Sequence, residues 1–415
     1  MTQGDTHPER DHKKLGPELE LFYIDPTVGK GLPMFLPKGA TIKRELERFV
    51  IEEEIKRGYL HVATPDIARL QLYEKSGHYP HYKDSMYAPI TIDDEQFMLR
   101  PMTCPHHFQL YLSKPHSYRE LPMRIAELAQ LYRYEQSGEL MGLQRVRTFC
   151  LADAHIICAN EEQAVQEMSD ALDLIEHMAG VFGLTLGKEY RYRLSLGDRN
   201  NTEKYYKNDA AWEKSENLLR TLMNTRGCAF EEAKNEAAFY GPKIDVQMKN
   251  ANGKEDTAFT VQYDFCMPDR FDLSYTGSDG KSKRAFVVHR SSIGALERSM
   301  AFLIEQYAGA FPLWLSPVHA LVLPVSEKQG EYANTVVTQL RASGIRVDLD
   351  NSSETLGKRV RIGKTQKIPY LLVVGDTEQS TQTIAVEHRS LGKLGTLTLE
   401  SVIAKLTEEI RTRAQ

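Results

Sequence analysis

Three widely separated residues, Cys104, His155 and His289, are the first candidates for chemistry in this chain. They stand in the segments RPMTCPHH, FCLADAHIIC and FVVHRSSIGALER. One thiolate and two imidazoles form a donor set that suits zinc, and three protein ligands leave the fourth position of a tetrahedral site open. Neighbouring residues are rival ligands, so spacing alone leaves the assignment open: His106, His107, Cys150 and Cys158.

A second group of candidate residues surrounds the turn SGELMG in the segment LYRYEQSGELMGLQRVRTFC. Arg133 and Arg145 flank this turn, and alternation in a strand, a loop and a returning strand predicts that both side chains share one face. Guanidinium groups suit phosphate oxygens, so a phosphate site is one interpretation and a solvated hairpin is the other. Arg298, in GALER at the start of a helix, is a further candidate for phosphate contact.

The elements that must position these residues follow two patterns. Short strand-like runs recur up to about residue 290, which predicts an α+β domain built on a large antiparallel sheet. From about Leu315, strands alternate with helices, which predicts a small α/β domain with a largely parallel sheet. Apolar spacing predicts amphipathic helices at Thr41–Arg57, Glu161–Val181, Ala211–Thr225 and Ile293–Tyr307. The strand–helix alternation of the second domain adds a helix in EYANTVVTQLRASG and a basic helix near Leu356–Thr365.

Composition narrows the class of protein. The 415 residues suffice for two or three domains, and five irregularly spaced cysteines are too few for a disulfide framework. We therefore expect reduced thiols and a cytoplasmic location. The N-terminal segment is polar with acidic residues, unlike a signal or transit peptide, and no apolar run reaches membrane-spanning length. The net charge of −5 excludes a generally basic protein but not a local contact with RNA.

Three segments occur in the order of the class II aminoacyl-tRNA synthetase motifs 1, 2 and 3, namely GYLHVATP, RYEQSGELMGLQRVR and GALER. More closely, the chain resembles the catalytic core and the anticodon-binding domain of the threonyl-tRNA synthetase family. The resemblance includes LYEKSGH, SYRELPMRIAEL and EAAFYGPKIDVQ and covers almost the whole chain. It implies that an L-threonyl adenylate forms from ATP and that threonine is then transferred to the 3′ end of tRNA(Thr).

The resemblance also implies an organisation. It places a catalytic domain at residues 1–314 and an anticodon-binding domain at residues 315–415. Class II synthetases generally dimerise through motif 1, and Thr41–Pro65 has the amphipathic pattern that such an interface needs, so we expect a homodimer. We do not expect a membrane among the partners.

Roles at the ATP site follow from the same resemblance. Arg133 would hold the α-phosphate, and Arg145 and Arg298 would hold the β- and γ-phosphates together with Mg²⁺. Preorganised cations of this kind stabilise charge where it develops on pyrophosphate. The remaining residues implied near the nucleotide or the adenylate are Glu135, Phe149, Lys243 and Gln262.

The resemblance assigns Cys104, His155 and His289 to one zinc ion, which chelates the amino group and the hydroxyl of threonine and so rejects valine. Other residues would lie around the amino acid: Met102, Asp153 and Tyr240. His78 would assist the attack of the terminal ribose of the tRNA. Glu378 matches an anticodon contact, and Lys367 belongs to a basic cluster that suits either RNA phosphates or a solvated helix face: Lys358, Arg359, Arg361, Lys364 and Lys367.

Several positions depart from the residues that the family usually has. Leu151 and Thr257 each replace a Gln, Ala295 replaces a Ser, and Thr103 replaces an Asn. Each hydrogen-bonding group lost from a desolvated site costs about 0.5–1.5 kcal/mol unless the site is repacked. In the second domain, Glu387 replaces an Arg near the expected anticodon contact.

These departures keep two alternative interpretations open. One is a divergent paralogue, either an accessory or inhibitor-insensitive copy or an enzyme that passes an activated β-hydroxy amino acid to another acceptor. The other is a non-catalytic RNA-binding regulator, although such a protein would need neither the arginines nor the metal ligands.

The family commonly carries N-terminal domains with an HxxxH editing motif, whereas this chain starts close to the catalytic core and contains no such pair. Serine offers the same chelating groups as threonine and lacks only a methyl group, which is worth about 10–200-fold in selectivity. We therefore expect this chain alone to form Ser-tRNA(Thr) that persists.

Overall fold

The computed structural model describes residues 7–415. Within this range the chain forms two compact units, each assembled from separate segments. The first unit contains Ile24–Pro33 and Glu47–Ala301, and the second contains Pro8–Tyr23, Met34–Leu46 and Phe302–Gln415. No helix between residues 7 and 415 has the length and apolar character needed to cross a membrane.

The described residues form thirteen α-helices. Their bounds are α1 (His12–Glu18), α2 (Pro37–Lys56), α3 (Leu70–Ser76), α4 (His78–His81), α5 (Cys104–Tyr111), α6 (Glu161–Val181), α7 (Asp209–Thr225), α8 (Met267–Phe271), α9 (Leu296–Gln306), α10 (Gly330–Ala342), α11 (Leu356–Thr365), α12 (Asp376–Thr381) and α13 (Leu399–Thr412).

The predicted helices are confirmed, with small shifts at some ends. α6 and α11 have the predicted bounds, and each begins after a side chain that caps it, Asn160 for α6 and Thr355 for α11. α2 and α7 begin slightly earlier than predicted. α9 begins at Leu296 instead of Ile293, because the preceding residues continue a β-strand.

The same residues form twenty β-strands. Their bounds are β1 (Phe22–Tyr23), β2 (Met34–Phe35), β3 (Leu60–His61), β4 (Ile67–Arg69), β5 (Ile90–Ile92), β6 (Glu95–Leu99), β7 (Met123–Tyr132), β8 (Thr148–Cys158), β9 (Tyr190–Leu196), β10 (Phe230–Lys234), β11 (Lys243–Lys249), β12 (Glu255–Asp264), β13 (Ser274–Thr276), β14 (Ser282–Arg284), β15 (Phe286–Ala295), β16 (Ala320–Pro324), β17 (Val347–Leu349), β18 (Tyr370–Val374), β19 (Thr383–His388) and β20 (Gly392–Thr398).

An eight-stranded sheet organises the first unit, in the order β10-β9-β11-β12-β15-β8-β7-β3. The predicted large antiparallel sheet is confirmed for the inner strands, while the outermost strands β10 and β3 pair in parallel with β9 and β7. β9 and β10 are joined through helix α7, and a helical crossover of this kind connects strands that run in the same direction.

Helix α6 packs against β8, β12 and β15 on one face of this sheet. Its buried residues Ala164, Met168, Ala171 and Ile175 recur every three or four positions, as the apolar stripe of an amphipathic helix does. The opposite face is therefore the one that can carry a site.

A five-stranded sheet organises the second unit, in the order β17-β16-β18-β19-β20. The largely parallel arrangement that we predicted holds for β17, β16 and β18 only, because β19 pairs antiparallel with β18 and β20 with β19. β19 and β20 are joined by a short turn, and a short turn can only join antiparallel strands. α10 and α13 cover one face of the sheet, and Leu321 and Leu323 project from the other face into a cluster with residues of α11.

Candidate active site

One row of side chains crosses four neighbouring strands of the eight-stranded sheet. Lys243 of β11 pairs with Gln262 of β12, Gln262 pairs with His289 of β15, and His289 pairs with His155 of β8. Directly paired residues project to the same face of a sheet, so the register brings together side chains that are distant in sequence. The rings of His155 and His289 consequently lie 4.6 Å apart between centroids.

A second row lies one pleat further along the same face. It consists of paired polar residues from five strands: Asp245, Thr260, Ser291, Asp153 and Glu127. All except Thr260 are buried. Buried polar groups require hydrogen-bond partners, so a row of them in the middle of a sheet is unusual and distinguishes this face from an ordinary apolar one.

Cys104 completes a compact cluster with the two histidines. It is the first residue of α5, and one ligand atom each from Cys104, His155 and His289 all lie within 4.8 Å of one another. All three residues are buried. Nε2 of His289 lies 2.7 Å from Oδ2 of Asp264, and Nδ1 of His155 lies 2.8 Å from Nδ1 of His107, so each ring keeps its other nitrogen for a metal. The donor set and its spacing fit a zinc ion with an open position.

The electrostatic surroundings suit a bound cation. Burial raises the pKa of the Cys104 thiol well above its usual value, and the carboxylates of Asp153 and Asp264 add to this effect. Burial also lowers the pKa of His155 well below its usual value, which keeps the imidazole neutral. A metal needs a thiolate and neutral imidazoles, and a cation here would supply the charge that stabilises the thiolate.

Two adjoining cavities, of about 250 Å³ and 700 Å³, open beside this cluster. They share six of the residues predicted from sequence: Met102, Arg133, Glu135, Arg145, Tyr240 and Gln262. The first cavity is also lined by Cys104, Phe149, Asp153, His155, His289 and Arg298. The second is also lined by His78 and Lys243. Every residue predicted for the catalytic part therefore lies at one of these two cavities.

The arginines reach the cavity from loops and from a helix. Arg133 follows the last residue of β7 and Arg145 precedes β8, so strand alternation is not what aims them, contrary to the prediction. Arg133 donates from Nε to the carbonyl of Pro101 at 3.2 Å and lies 5.1 Å from the centre of the Phe149 ring. Arg145 donates to Oε2 of Glu135 at 2.8 Å.

Arg298 is held by the main chain. Its Nε donates to the carbonyl of Gln144 at 2.9 Å, and its Nη1 donates to the carbonyl of Thr257 at 2.6 Å. Burial lowers the pKa of Arg298, and a guanidinium starts from so high a value that it stays charged. The cavity is therefore lined by arginines, of which Arg133 and Arg298 are half-buried, beside a cluster of residues that could hold a metal.

Polar side chains that line the two cavities have hydrogen-bond partners within the protein. The Tyr240 hydroxyl donates to Oε1 of Gln262 at 2.8 Å, and the Tyr240 ring stacks on His289 at 4.8 Å. Lys243 Nζ donates to Oδ2 of Asp245 at 2.8 Å. His78 is buried, and its Nδ1 lies 2.7 Å from Oγ of Ser76. Burial and the positive charges nearby lower the pKa of His78 well below its usual value.

Comparison with known proteins identifies the family. Residues 87–307 match the tRNA synthetase class II core domain (G, H, P, S and T), and residues 319–409 match an anticodon binding domain. The crystal structure of the RNA binding domain of threonyl-tRNA synthetase from Cryptosporidium parvum Iowa II superposes with a TM-score of 0.90 at 34% identity, covering 96% of this chain and 98% of that one. The chain belongs to the threonyl-tRNA synthetase family of class II synthetases.

Other members of the family show the same similarity. A threonine–tRNA ligase of Geobacillus sp. (strain WCH70) is 50% identical over 404 residues, which are 97% of this chain and 62% of that protein. The corresponding enzyme of Anoxybacillus flavithermus is 48% identical, again over 62% of its length. A putative threonyl-tRNA synthetase from Aeropyrum pernix has a TM-score of 0.83 at 27% identity, with 97% of each chain covered. The chain thus spans about three fifths of the length of the curated relatives.

Three of the departures from the usual family residues, at Leu151, Thr257 and Ala295, are accommodated by packing or hydrogen bonding. Leu151 and Ala295 are paired across β8 and β15 and lie in one apolar cluster with Ala129, Leu131, Val146 and Phe149. Thr257 accepts a hydrogen bond from Nε2 of Gln247 at 2.7 Å. Leu151 and Ala295 therefore form part of an apolar wall, and the Thr257 hydroxyl keeps a hydrogen-bond partner.

The residues predicted to contact tRNA lie in the second unit. Glu378 caps α12, where its Oε2 accepts from the backbone of Gly375 at 3.0 Å, and Glu387 pairs with Lys364 at 2.6 Å. Arg359 is buried and donates to three backbone carbonyls, those of Pro324, Asp350 and Glu354. Its contacts are structural, whereas Lys367 and the other lysines of the basic cluster remain candidates for RNA contact.

Two carboxylates behind the cluster were not predicted from the sequence, one bound to His289 and the other to His107. Asp264 hydrogen-bonds His289, and Glu127 hydrogen-bonds His107 at 3.2 Å. Glu127 stands in the strand MRIAELAQLY, where an acid among apolar residues was a usable signal. Asp264 ends β12 and gave no such signal.

Proposed function

We propose that this chain activates L-threonine with ATP and transfers it to the 3′ end of tRNA(Thr). The observation that carries the proposal is the position of the Cys104, His155 and His289 cluster in the same cavity as Arg133 and Arg298. A site that selects an amino acid and a site that binds phosphates are thereby adjacent, as adenylate formation requires. The names of the relatives support threonine as the amino acid.

The cluster would select the amino acid. Cys104, His155 and His289 would hold one zinc ion per chain, which when bound supplies a Lewis acid for the amino group and hydroxyl of threonine. Valine lacks the hydroxyl, while serine lacks only a methyl group and is rejected by about 10–200-fold. Three side chains that line this cavity would surround the amino acid: Met102, Asp153 and Tyr240.

The arginines would promote the first step. A carboxylate oxygen of threonine attacks the α-phosphorus of ATP, and pyrophosphate leaves with the charge that develops. Arg133 would hold the α-phosphate, and Arg145 and Arg298 would hold the β- and γ-phosphates, with Mg²⁺ accompanying the nucleotide. Glu135, Phe149 and Gln262 would contact the rest of the nucleotide, and binding of ATP would release the Arg145–Glu135 ion pair.

The second cavity would receive the end of the tRNA. A hydroxyl of the terminal ribose attacks the acyl carbon, and AMP leaves. His78 lines this cavity and would assist the attack, with its imidazole kept neutral by burial. Lys243, which lines the same cavity, would face the adenylate.

The whole chain would work as a tRNA-charging enzyme of two domains. We assign residues 1–314 to catalysis and residues 315–415 to anticodon binding, and the family matches at 87–307 and 319–409 support this division. The second compact unit is larger than the anticodon-binding domain, because it also contains Pro8–Tyr23, Met34–Leu46 and residues 302–314. Glu378 and Lys367 would contact the tRNA. Five free cysteines support a cytoplasmic location.

We further propose a homodimer. Ile55 at the end of α2 and Leu60 in the edge strand β3 are each 57% exposed in the described chain. An edge strand with exposed apolar neighbours favours association with another chain.

Exchange of pyrophosphate into ATP tests the first step. We expect exchange with threonine, exchange weaker by about 10–200-fold with serine, and none with valine. Equal exchange with valine would contradict selection by chelation, and no exchange with any amino acid would contradict the proposed activity. Charging of tRNA(Thr), with tRNA(Ser) as the control, tests the second step.

A further inference from the structure

A chain of buried hydrogen bonds leads away from the metal-ligating cluster. Nδ1 of His155 lies 2.8 Å from Nδ1 of His107, and Nε2 of His107 lies 3.2 Å from Oε2 of Glu127. His107 is on α5, which begins at Cys104, and Glu127 is on β7, next to the strand that carries His155. We call His155, His107 and Glu127 the Glu127 relay, and all three side chains are buried.

The relay permits only one arrangement of protons when His155 binds a metal. A metal takes a lone pair, and because Nδ1 of His155 faces His107, the ligand nitrogen must be Nε2. The proton of His155 is then on Nδ1 and is donated to Nδ1 of His107. His107 must therefore carry its own proton on Nε2, where it is donated to the carboxylate of Glu127.

The far end of the relay is fixed by the fold. Glu127 accepts from the backbone N–H of Thr64 at 3.1 Å, from the Thr64 hydroxyl at 2.7 Å and from Nη1 of Arg100 at 3.1 Å. Arg100 is itself held by the carbonyl of Gln130 at 2.7 Å. Neither the carboxylate nor the ring that it holds is therefore free to turn.

We propose that His107 and Glu127 are positioning residues, which hold His155 with its Nε2 lone pair directed at the metal. Neither is a ligand itself. The inference rests on the proposed function for the metal, and it explains why a histidine and an acid, His107 and Glu127, are buried behind the ligand His155. Partners of this kind contribute about 10–100-fold to metal affinity.

Two substitutions of His107 distinguish the loss of its hydrogen bond to His155 from the loss of packing. His107→Leu removes the acceptor for His155. His107→Asn places a carbonyl oxygen where Nδ1 was, so it can still accept from His155, although it fills less space. We expect the Leu variant to bind zinc about 10–100-fold more weakly, and the Asn variant to stay close to the parent protein. Glu127→Gln should weaken binding as well, because a neutral amide holds the His107 proton less strongly.

The measurement is the zinc affinity of the full chain, by competition with a chromogenic chelator. Spectra of the Co²⁺-substituted proteins report ligand geometry, and urea unfolding of the metal-free proteins reports folding. His106→Leu is the matched control, since His106 is the next residue of α5, is buried and lies against Tyr73 instead of the relay.

The outcomes are distinct. If His107→Leu and His107→Asn weaken zinc binding equally, or if neither does while Cys104→Ser abolishes it, the relay is wrong and the zinc site stands. If Cys104→Ser binds zinc as the parent protein does, the zinc site itself fails and the relay with it. Loss of affinity in the Leu variant with rescue in the Asn variant supports the proposal.

Discussion

Arg298 is oriented by the main chain, and this orientation is the feature of the site most easily tested at a single residue. Two carbonyls, of Gln144 and Thr257, hold its guanidinium plane. Donors that are fixed in place need no reorganisation when charge develops on a leaving group, which is why such groups accelerate reactions strongly.

The conservative variant Arg298→Lys should lower the rate of threonine-dependent pyrophosphate exchange by about 10²–10³-fold. An ammonium keeps the charge, but it cannot make both carbonyl contacts and still present a planar fork to phosphate. Steady-state exchange kinetics give kcat and KM, and thermal unfolding confirms the fold. Arg361→Lys, at an exposed position of α11, is the control and should keep full activity. An unimpaired Arg298→Lys would show that the fork is not used.

At the scale of elements, successive side chains of β15 project alternately toward the site and toward helix α2. His289 and Ser291 face the site, whereas Arg290 and Ser292 contact Glu54 of α2 at 2.6 Å and 2.8 Å. The Arg290 guanidinium also lies 4.1 Å from the centre of the Tyr59 ring. The ion pair thus anchors the end of α2 to the strand that carries His289.

Glu54→Gln should lower the free energy of unfolding by about 3–5 kcal/mol, because it leaves Arg290 as a buried and unpaired charge. Urea unfolding at neutral pH measures the loss. Glu52→Gln, on the same helix but in a partly exposed ion pair with Arg48, should change the free energy by no more than about 1 kcal/mol.

The effect of Glu54→Gln on the free energy of unfolding should depend on pH. Burial raises the pKa of Glu54, but the charge of Arg290 and the hydrogen bonds of His61, Arg290 and Ser292 outweigh it and lower the pKa below 4.5. A carboxyl whose folded pKa is lowered stabilises the protein above its unfolded pKa and loses that contribution as pH falls. The difference in the free energy of unfolding between the parent protein and Glu54→Gln should therefore narrow below about pH 4.5. A difference in the free energy of unfolding that stays constant in acid would contradict a stabilising role of the Glu54 carboxylate.

At the scale of the whole molecule, the proposed dimer depends on a short edge of the large sheet. β3 contains only Leu60 and His61, and its outer side pairs with no other strand of the described residues. Leu60 is more than half exposed. This edge would be covered in the assembled enzyme and open in a single chain.

Leu60→Arg should convert a dimer to a monomer, because a cation cannot be desolvated without a partner at an apolar interface. Light scattering after size-exclusion chromatography gives the mass. Leu391→Arg is the matched control, since Leu391 is 69% exposed in the second unit, and this variant should remain a dimer. A parent protein that is monomeric at micromolar concentration would contradict the proposal outright.

Much of the fold was predictable because its signals are local. Helices α6 and α11 each have a capping residue directly before them, and the bounds of α6 and the place of α11 could be predicted from nearby residues. The family could be recognised from short motifs, and every residue assigned to the catalytic part lines the two cavities.

The rest depends on contacts between distant segments. Parallel pairing of β3 and β10 at the edges, and antiparallel pairing of β19, follow from crossovers and turns that periodicity does not encode. Seven residues were candidate metal ligands from the sequence alone. The strand register sets His289 beside His155, and α5 brings Cys104 to them with the His107 ring behind His155. Sequence determined which chemical groups this protein has and which family it belongs to. The tertiary structure decided which of those groups meet, because strand register and helix placement are set by long-range packing.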